Sequence, residues 1–266
     1  MSLANEDTYN SPAKVTVERV YQLIMTKDSK PRVNRLFGAG PSISDMIMDL
    51  PGMQEARSKI MGPYGRRQII LFDNFASMHI HRVKAIKTAR VISYVAKEAG
   101  PDRMEVYAAS ETLRGPIKCN NSTEVKAAIG KFKTVEGTCN LSKCLDDILN
   151  RVLTQEGFKP TTIYILTDGL WGPGDDQVEF AIHRAISFLI KHQRPSHALM
   201  FQFVQFGDNL EGGARMRRLD DECAKQTTID MYDIIDHKHW DSHVPNIVVG
   251  AISAYTDGMD SDWREG

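Results

Sequence analysis

Oxygen-bearing side chains stand at three points of the sequence where a sheet could gather them. Asp73 directly follows a strand-like run of apolar residues, and Ser77 lies four residues further on. Asp168 follows a second such run, and Thr138 lies in a loop before a predicted helix. In open α/β sheets, ligands bind outside the carboxyl ends of the strands. Mg²⁺ prefers oxygen ligands of this kind. We therefore predict that Asp73, Ser77, Thr138 and Asp168 form a magnesium site.

Apolar runs and helical periodicities alternate along the chain from residue 67 onward. Runs typical of buried strands occur at residues 68–72, 104–109, 161–167, 198–206 and 231–235. Apolar stripes at helical spacing predict helices at residues 82–98, 122–132, 141–152, around 182–189, and at 212–226 and 245–255. Alternation of this kind is typical of a mainly parallel sheet with helices on both faces.

The first quarter of the chain has a different pattern. Residues 14–27 and 43–50 have helical spacing and are separated by a loop rich in proline and glycine. We predict a helical lead-in at 1–66, an α/β domain at 67–256, and a polar tail at 257–266 that ends in a cloning remnant. The predicted fold class is α/β, three-layer and Rossmann-like, with a mainly parallel central sheet of about six strands, helices on both faces and an N-terminal helical extension.

Three short motifs in this order resemble the von Willebrand factor A (vWA) domain family. They are Asp73-x-Phe75-x-Ser77-Met78, Gly137-Thr138 and Thr167-Asp168-Gly169. The resemblance covers about residues 66–256. The family carries a metal-ion-dependent adhesion site built from a D-x-S-x-S motif, a threonine and an aspartate on three loops. The resemblance thus implies a Mg²⁺-binding adhesion site at these positions.

One position departs from the family pattern. Ser77 matches the second serine and Thr138 the threonine, whereas Asp73 and Asp168 match aspartates that act mostly through water or hydrogen bonds. Phe75 stands where the family has its first serine. A phenyl ring has no oxygen to offer Mg²⁺. The resemblance therefore implies a degenerate adhesion site, and both a Mg²⁺-bound and a metal-free form stay open.

The resemblance implies a protein-interaction module without catalytic activity. The partner would be another protein or another part of the parent protein, bound at the carboxyl edge of the sheet. Phe75 and Trp171 are the predicted contact residues, because large aromatic side chains often anchor interfaces. Locally, each motif residue also has a plain structural reading, as a helix cap, a loop hydroxyl or a turn.

Two other function classes remain as alternatives. An RNA-binding vWA-like module would use basic residues, namely Arg66, Arg67, Arg82, Lys84, Lys87, Arg90, Arg215, Arg217 and Arg218. A Mg²⁺-dependent phosphoryl-transfer enzyme would use Asp73 as nucleophile. Such enzymes usually have a second acid two residues later, and Phe75 occupies that position.

Composition, charge and cysteine spacing indicate in which cellular compartment the protein would act. The chain has 266 residues and a formal net charge of −1, so no overall charge draws it to nucleic acid or anionic membranes. No apolar run reaches the roughly 18 residues of a membrane helix, and no signal peptide begins the sequence. Its four cysteines form no CxxC pair. We predict an intracellular, cytoplasmic protein with reduced thiols.

Overall fold

The computed structural model describes most of the chain, in eight segments. They are residues 13–29, 41–61, 65–97, 103–154, 156–172, 175–222, 232–250 and 252. The predicted tail at 257–266, the end of the predicted helix at 245–255 and Cys223 lie outside them.

A sheet of six strands forms the centre of the described part of the chain. The strands are β1 (Arg67–Phe72), β2 (Met104–Ala108), β3 (Ile117–Cys119), β4 (Thr161–Thr167), β5 (Leu199–Gln205) and β6 (Ile235–His239). Their order across the sheet is β3-β2-β1-β4-β5-β6. All neighbours are parallel except β2 and β3, which are antiparallel. The predicted α/β class with a mainly parallel sheet is confirmed.

Helices connect and precede these strands. They are α1 (Val17–Ser29), α2 (Ile43–Met48), α3 (Met53–Met61), α4 (Arg82–Lys97), α5 (Ser122–Lys131), α6 (Leu141–Val152), α7 (Asp175–Lys191), α8 (Leu210–Glu222) and α9 (Val244–Val249). Short 3₁₀ segments occur at Ala76–His81, Ala109–Arg114 and Ser196–Ala198. Within the described residues, no helix is long and apolar enough to cross a membrane.

Three elements differ from the sequence prediction. The lead-in contains a third helix, α3, which begins directly after Pro51-Gly52 and buries Met53, Ala56 and Ile60. The edge strand β3 was missed because it has only three residues, two of them exposed. The last strand begins at Ile235 rather than at residue 231, and its polar sequence "IDHKH" has no apolar run to reveal it.

Alternate residues of the strands pack into two separate hydrophobic clusters. On β1, Ile70 and Phe72 belong to the cluster that contains buried residues of α1 to α5 and α9. Ile69 and Leu71 belong to the cluster that contains buried residues of α6, α7 and α8. Successive side chains of a strand point to opposite faces of the sheet, so the strands pack against both clusters. This packing on two faces holds the carboxyl ends of the strands in register at one edge of the sheet.

A half-buried carboxyl group between α8 and β6 gives this region a pH-dependent stability. Burial, with a further contribution from the charge of Asp236, raises the pKa of Asp220 to about 8. The folded state therefore holds a proton that the unfolded chain releases near its ordinary pKa. The contribution of Asp220 to stability falls as the pH rises from about 4 to about 8.

Replacing Asp220 with asparagine should remove this loss. We expect Asp220→Asn to be more stable than the wild type by on the order of 2 kcal/mol at pH 9, with the difference shrinking toward pH 5. Urea denaturation at pH 5, 7 and 9 measures it. Asp221→Asn, at the exposed neighbouring position, is the matched control and should show a smaller change. A difference that does not grow with pH would contradict the role of Asp220.

Candidate functional site

The two aspartates of the predicted site lie where the strand order diverges. β1 and β4 are neighbours at the centre of the sheet, and the chain adds further strands outward on either side of this pair. Asp73 directly follows β1 and Asp168 directly follows β4, and both side chains are buried. Open α/β sheets bind ligands at such a switch point. The structure thus brings these two carboxyl groups to one place at the carboxyl edge.

Asp73 is held by two hydrogen bonds. Its Oδ1 accepts from the backbone N–H of Phe75 at 3.1 Å, and its Oδ2 accepts from Thr167 Oγ1 at 2.8 Å. Burial raises the pKa of Asp73 to about 6, the two hydrogen bonds oppose this rise, and the negative charge of Asp168 adds to it. The Asp73 carboxyl group is therefore buried and lies in the field of a further negative charge, and a cation at this position would relieve both effects.

Asp168 begins a tight turn that is pressed against α8. Its Oδ1 accepts from the backbone N–H of Leu170 at 3.0 Å. Gly169 has φ of +80°, and a Cβ on Gly212 would lie 2.2 Å from the carbonyl oxygen of Asp168. Arg215 of α8 donates hydrogen bonds to the carbonyls of Gly169 and Trp171. The position of Asp168 therefore depends on backbone contact between the turn and the first turns of α8.

The two predicted hydroxyl ligands have no hydrogen-bond partner among the described residues. Ser77 is half-buried in the 3₁₀ segment after β1. Thr138 is exposed, and a Cβ on Gly172 would lie 2.7 Å from its Oγ1, so Gly172 leaves space beside this hydroxyl. Gly172 N donates to Cys139 O at 2.8 Å. This bond ties the Thr138 loop to the loop that contains Asp168.

Phe75 contributes its backbone more than its ring to the site. Its N–H donates to Asp73, and the residue forms an isolated parallel bridge with Val135. The half-buried ring packs against the cluster of α6, α7 and α8. The ring thus lies between the surface and the core at the position where the vWA motif has a serine.

Trp171 lies in the core rather than on the surface. Its side chain is 4% exposed, and its ring centroid is 6.2 Å from that of Phe203. The residue also bridges Cys139. Because the indole is buried in the folded chain, a partner could reach it only if the loop moved. We therefore give Trp171 a packing role and do not include it in the contact surface proposed below.

The chemistry of the four candidate ligands shows whether they suit Mg²⁺. The residues present offer two carboxylates and two hydroxyls, all of them oxygen ligands of the type Mg²⁺ prefers. The described residues contain no group of three or more His, Cys, Asp or Glu side chains able to hold a metal ion. A metal at this edge would therefore depend on Ser77 and Thr138 as well as on the carboxylates. The donors fit Mg²⁺ in type, with one ligand fewer than the vWA motif because of Phe75.

Sequence reasoning missed Asn74, which joins three loops of the site. Its Nδ2 donates to Ser110 Oγ at 2.8 Å and to Lys133 O at 2.7 Å, and its Oδ1 accepts from Ser110 N at 3.1 Å. Its carbonyl accepts from Val135 N at 3.0 Å. An asparagine two residues after an apolar run is the sequence signal, and nothing in the sequence identifies its distant partners.

The two cysteines near the site have a packing role. Cys139 precedes the N-cap Asn140 of α6, and Cys144 lies in its first turns, which are the two positions of a hydrophobic staple. Both are buried free thiols. A hydrogen bond with Cys144 and burial raise the pKa of Cys139 well above its ordinary value. The Cys139 thiol is therefore protonated and unreactive at neutral pH.

Three large apolar side chains are exposed in the segments that follow β1 and β5. Ile80 is 80% exposed, Val83 is 68% exposed and Leu210 is 86% exposed. A Cβ on Gly207 would lie 2.7 Å from the His81 ring, so the 3₁₀ segment after β1 contacts the loop before α8. Ile80 lies in this 3₁₀ segment, Val83 in the first turn of α4 and Leu210 at the start of α8, so all three follow the carboxyl ends of β1 and β5.

No protein-family model matches this chain, and no curated protein matches it in a sequence search.

Proposed function

We propose that the chain is a vWA-like protein-interaction module with a three-layer, Rossmann-like fold. Its contact surface is the carboxyl edge of the sheet around Asp73, Phe75, Ser77, Thr138 and Asp168. The observation that carries this proposal is the pair of buried carboxyl groups, Asp73 and Asp168, at the ends of the two central strands. Burying two carboxyl groups side by side costs free energy. Such an arrangement is common at ligand sites and rare in a purely structural loop.

The residues present also support a role for Mg²⁺ in this contact. By analogy with the vWA motif, Ser77 and Thr138 would ligate the ion directly, and Asp73 and Asp168 would hold its water ligands. The ion would supply a positive charge to which a carboxylate of the partner could bind. Since Phe75 removes one ligand, we expect this site to bind Mg²⁺ more weakly than a complete motif would.

The apolar residues of the same edge supply the rest of the contact. Ile80 is exposed in the 3₁₀ segment after β1, Val83 in the first turn of α4 and Leu210 at the start of α8. The His81 ring of the 3₁₀ segment lies close to Gly207, just before α8. Exposed apolar groups next to a polar centre are typical of protein-binding surfaces. We propose that a protein partner, or another part of the parent protein, covers these residues when it binds.

The basic side chains that would bind RNA are largely used within the fold. Arg82 donates to the carbonyls of Ile129 and Phe132. Lys84 lies over the Trp240 ring at 4.7 Å, and Lys87 pairs with Glu18 at 2.7 Å. The remaining predicted basic residues include Arg66 and Arg90, which are buried. RNA binding therefore has less support than protein binding, and we propose no catalytic activity.

Site-specific photo-crosslinking tests the proposed contact surface. We expect a photoreactive phenylalanine analogue at Ile80 or Leu210 to crosslink one discrete protein partner in the cells that express the chain. The matched control is the same analogue at Phe180, which is 69% exposed on α7 and is not part of the proposed contact surface. Equal crosslinking from Phe180, or none from either edge position, would overturn the proposal.

Asp168→Ala should affect this contact more than folding. The side chain accepts one hydrogen bond, from Leu170, so its loss should cost about 1–2 kcal/mol of folding free energy. We expect the crosslinking yield from Ile80 to fall at least threefold in the folded variant. Asp168→Asn, which keeps an acceptor for Leu170 N–H, separates the loss of charge from the loss of the turn. A large loss of stability with an unchanged yield would assign Asp168 a structural role.

A further inference from the structure

A small pocket lies at the opposite, amino-terminal edge of the sheet. Its walls are the start of β1, the end of α4 and the N-terminus of α5, and they include Arg66, Gln68, Lys97, Cys119 and Asn121. The pocket encloses about 300 Å³ with its open mouth. Its closed part has room for only about one water-sized particle.

Arg66 is a buried cation without a carboxylate partner among the described residues. Its guanidinium donates to Thr162 Oγ1, to His197 O at 2.6 Å and to Thr161 O at 3.0 Å, all of them neutral oxygens. A guanidinium has five N–H groups, so these three bonds leave part of its donor capacity unused. Burial lowers the pKa of Arg66 to about 10. The group stays charged at neutral pH, and buried charges are normally paired.

Gln68 is a second residue at the same pocket whose polar atoms lack hydrogen-bond partners. Its side chain is 6% exposed, and neither Nε2 nor Oε1 has a hydrogen-bond partner. A buried amide without partners is rare in a folded protein unless a ligand or water binds there. Arg66 and Gln68 therefore point to an occupant that accepts hydrogen bonds.

The charges around the pocket favour a negative occupant. Lys97 lies exposed at the mouth, and the described lining residues include no aspartate or glutamate. The N-terminus of the 10-residue helix α5 forms one wall, and a helix N-terminus attracts anions. The nearest acid of α5, Glu124, binds Asn120 and Asn121 and is not part of the lining.

We propose that this pocket binds one small monovalent anion, of which chloride is the simplest, between Arg66 and Gln68. The anion accepts from the unused N–H groups of Arg66 and from Gln68 Nε2. A water molecule would satisfy the amide but would leave the charge of Arg66 unbalanced. This site is independent of the proposed contact surface at the carboxyl edge.

Thermal unfolding of the full chain in different sodium salts tests the proposal. At equal ionic strength and saturating anion, we expect the midpoint to be about 2–4 °C higher in chloride or bromide than in gluconate, which is too large to enter. Gln68→Leu should abolish this difference. Lys131→Met, which removes an exposed lysine from the other end of α5, should keep it. An equal salt response in the wild type and in Gln68→Leu would overturn the proposal.

Crystals soaked in sodium bromide supply a direct second readout. We expect an anomalous bromine peak between Arg66 and Gln68 in the wild type. Lys97→Met, at the exposed mouth, should fold even if Gln68→Leu does not, and should weaken bromide binding about two- to fivefold. A water without anomalous signal in the wild type would show that the pocket is not an anion site. A bromide peak that survives unchanged in Gln68→Leu would overturn the assignment of Gln68 as a ligand.

Discussion

Replacing Gly212 with alanine is expected to destabilise the protein by about 3 kcal/mol. A Cβ at this position would lie 2.2 Å from Asp168 O and 3.2 Å from the Gly169 Cα, and both are backbone atoms. Because neither the turn nor α8 has a flexible side chain that could yield, the two must move apart. That movement would also strain the hydrogen bonds that Arg215 donates to the carbonyls of Gly169 and Trp171.

The measurement is urea denaturation of the variant beside a matched glycine. Gly130 lies within α5, where a Cβ would meet nothing within 4 Å. Gly130→Ala should therefore stabilise the protein by about 0.5–1 kcal/mol, as expected for a helix interior. If Gly212→Ala were as stable as the wild type, the close contact between the Asp168 turn and α8 would be refuted.

Replacing Phe75 with serine is expected to strengthen Mg²⁺ binding at least tenfold, which corresponds to about 1.4 kcal/mol of binding free energy. The serine would add an oxygen at the one position of the proposed vWA-like site that lacks it. The backbone N–H of Phe75 already donates to Asp73, and that bond does not depend on the side chain. Loss of the half-buried ring should cost about 1–3 kcal/mol of folding free energy.

Isothermal titration of Mg²⁺ and Mn²⁺ into metal-stripped protein measures this effect. The titration belongs at pH 7.5, because burial raises the pKa of Asp73 to about 6 and a proton competes with the ion at lower pH. Phe75→Ala opens the same space without adding a ligand, and Asp73→Ala should abolish binding. Equal gains in the serine and alanine variants would mean that space, rather than an added ligand, limits binding. No gain in either would mean that the remaining donors are not arranged for a metal.

These experiments address different parts of one edge of the sheet. The Gly212→Ala variant tests the backbone contact that positions Asp168. The Phe75→Ser variant tests the oxygen donors that would bind an ion or a partner. A result against the metal would leave a metal-free contact surface in place, because Ile80, Val83 and Leu210 are exposed whether or not an ion is bound. Photo-crosslinking from these positions then becomes the deciding measurement.

Local patterns predicted the strands that position the site. The apolar runs before Asp73 and Asp168 correspond to β1 and β4, which the structure confirms as parallel neighbours. An apolar run is a property of adjacent residues, so it can be recognised without knowing what covers it. The β6 strand lacks such a run and was misplaced for the same reason.

The sequence by itself determined the alternation of strands and helices and the polar residues that end the two central strands. Only the tertiary structure decided the strand order, the burial of Trp171 and the use of Arg82 and Lys87 within the fold. It also decided the approach of Gly212 to Asp168 and the isolation of Arg66 and Gln68 at their pocket. The periodicity of apolar residues indicates which residues of a segment face the core and which face solvent. The partners of a side chain depend on how segments far apart in the sequence pack, and a local pattern does not encode that packing.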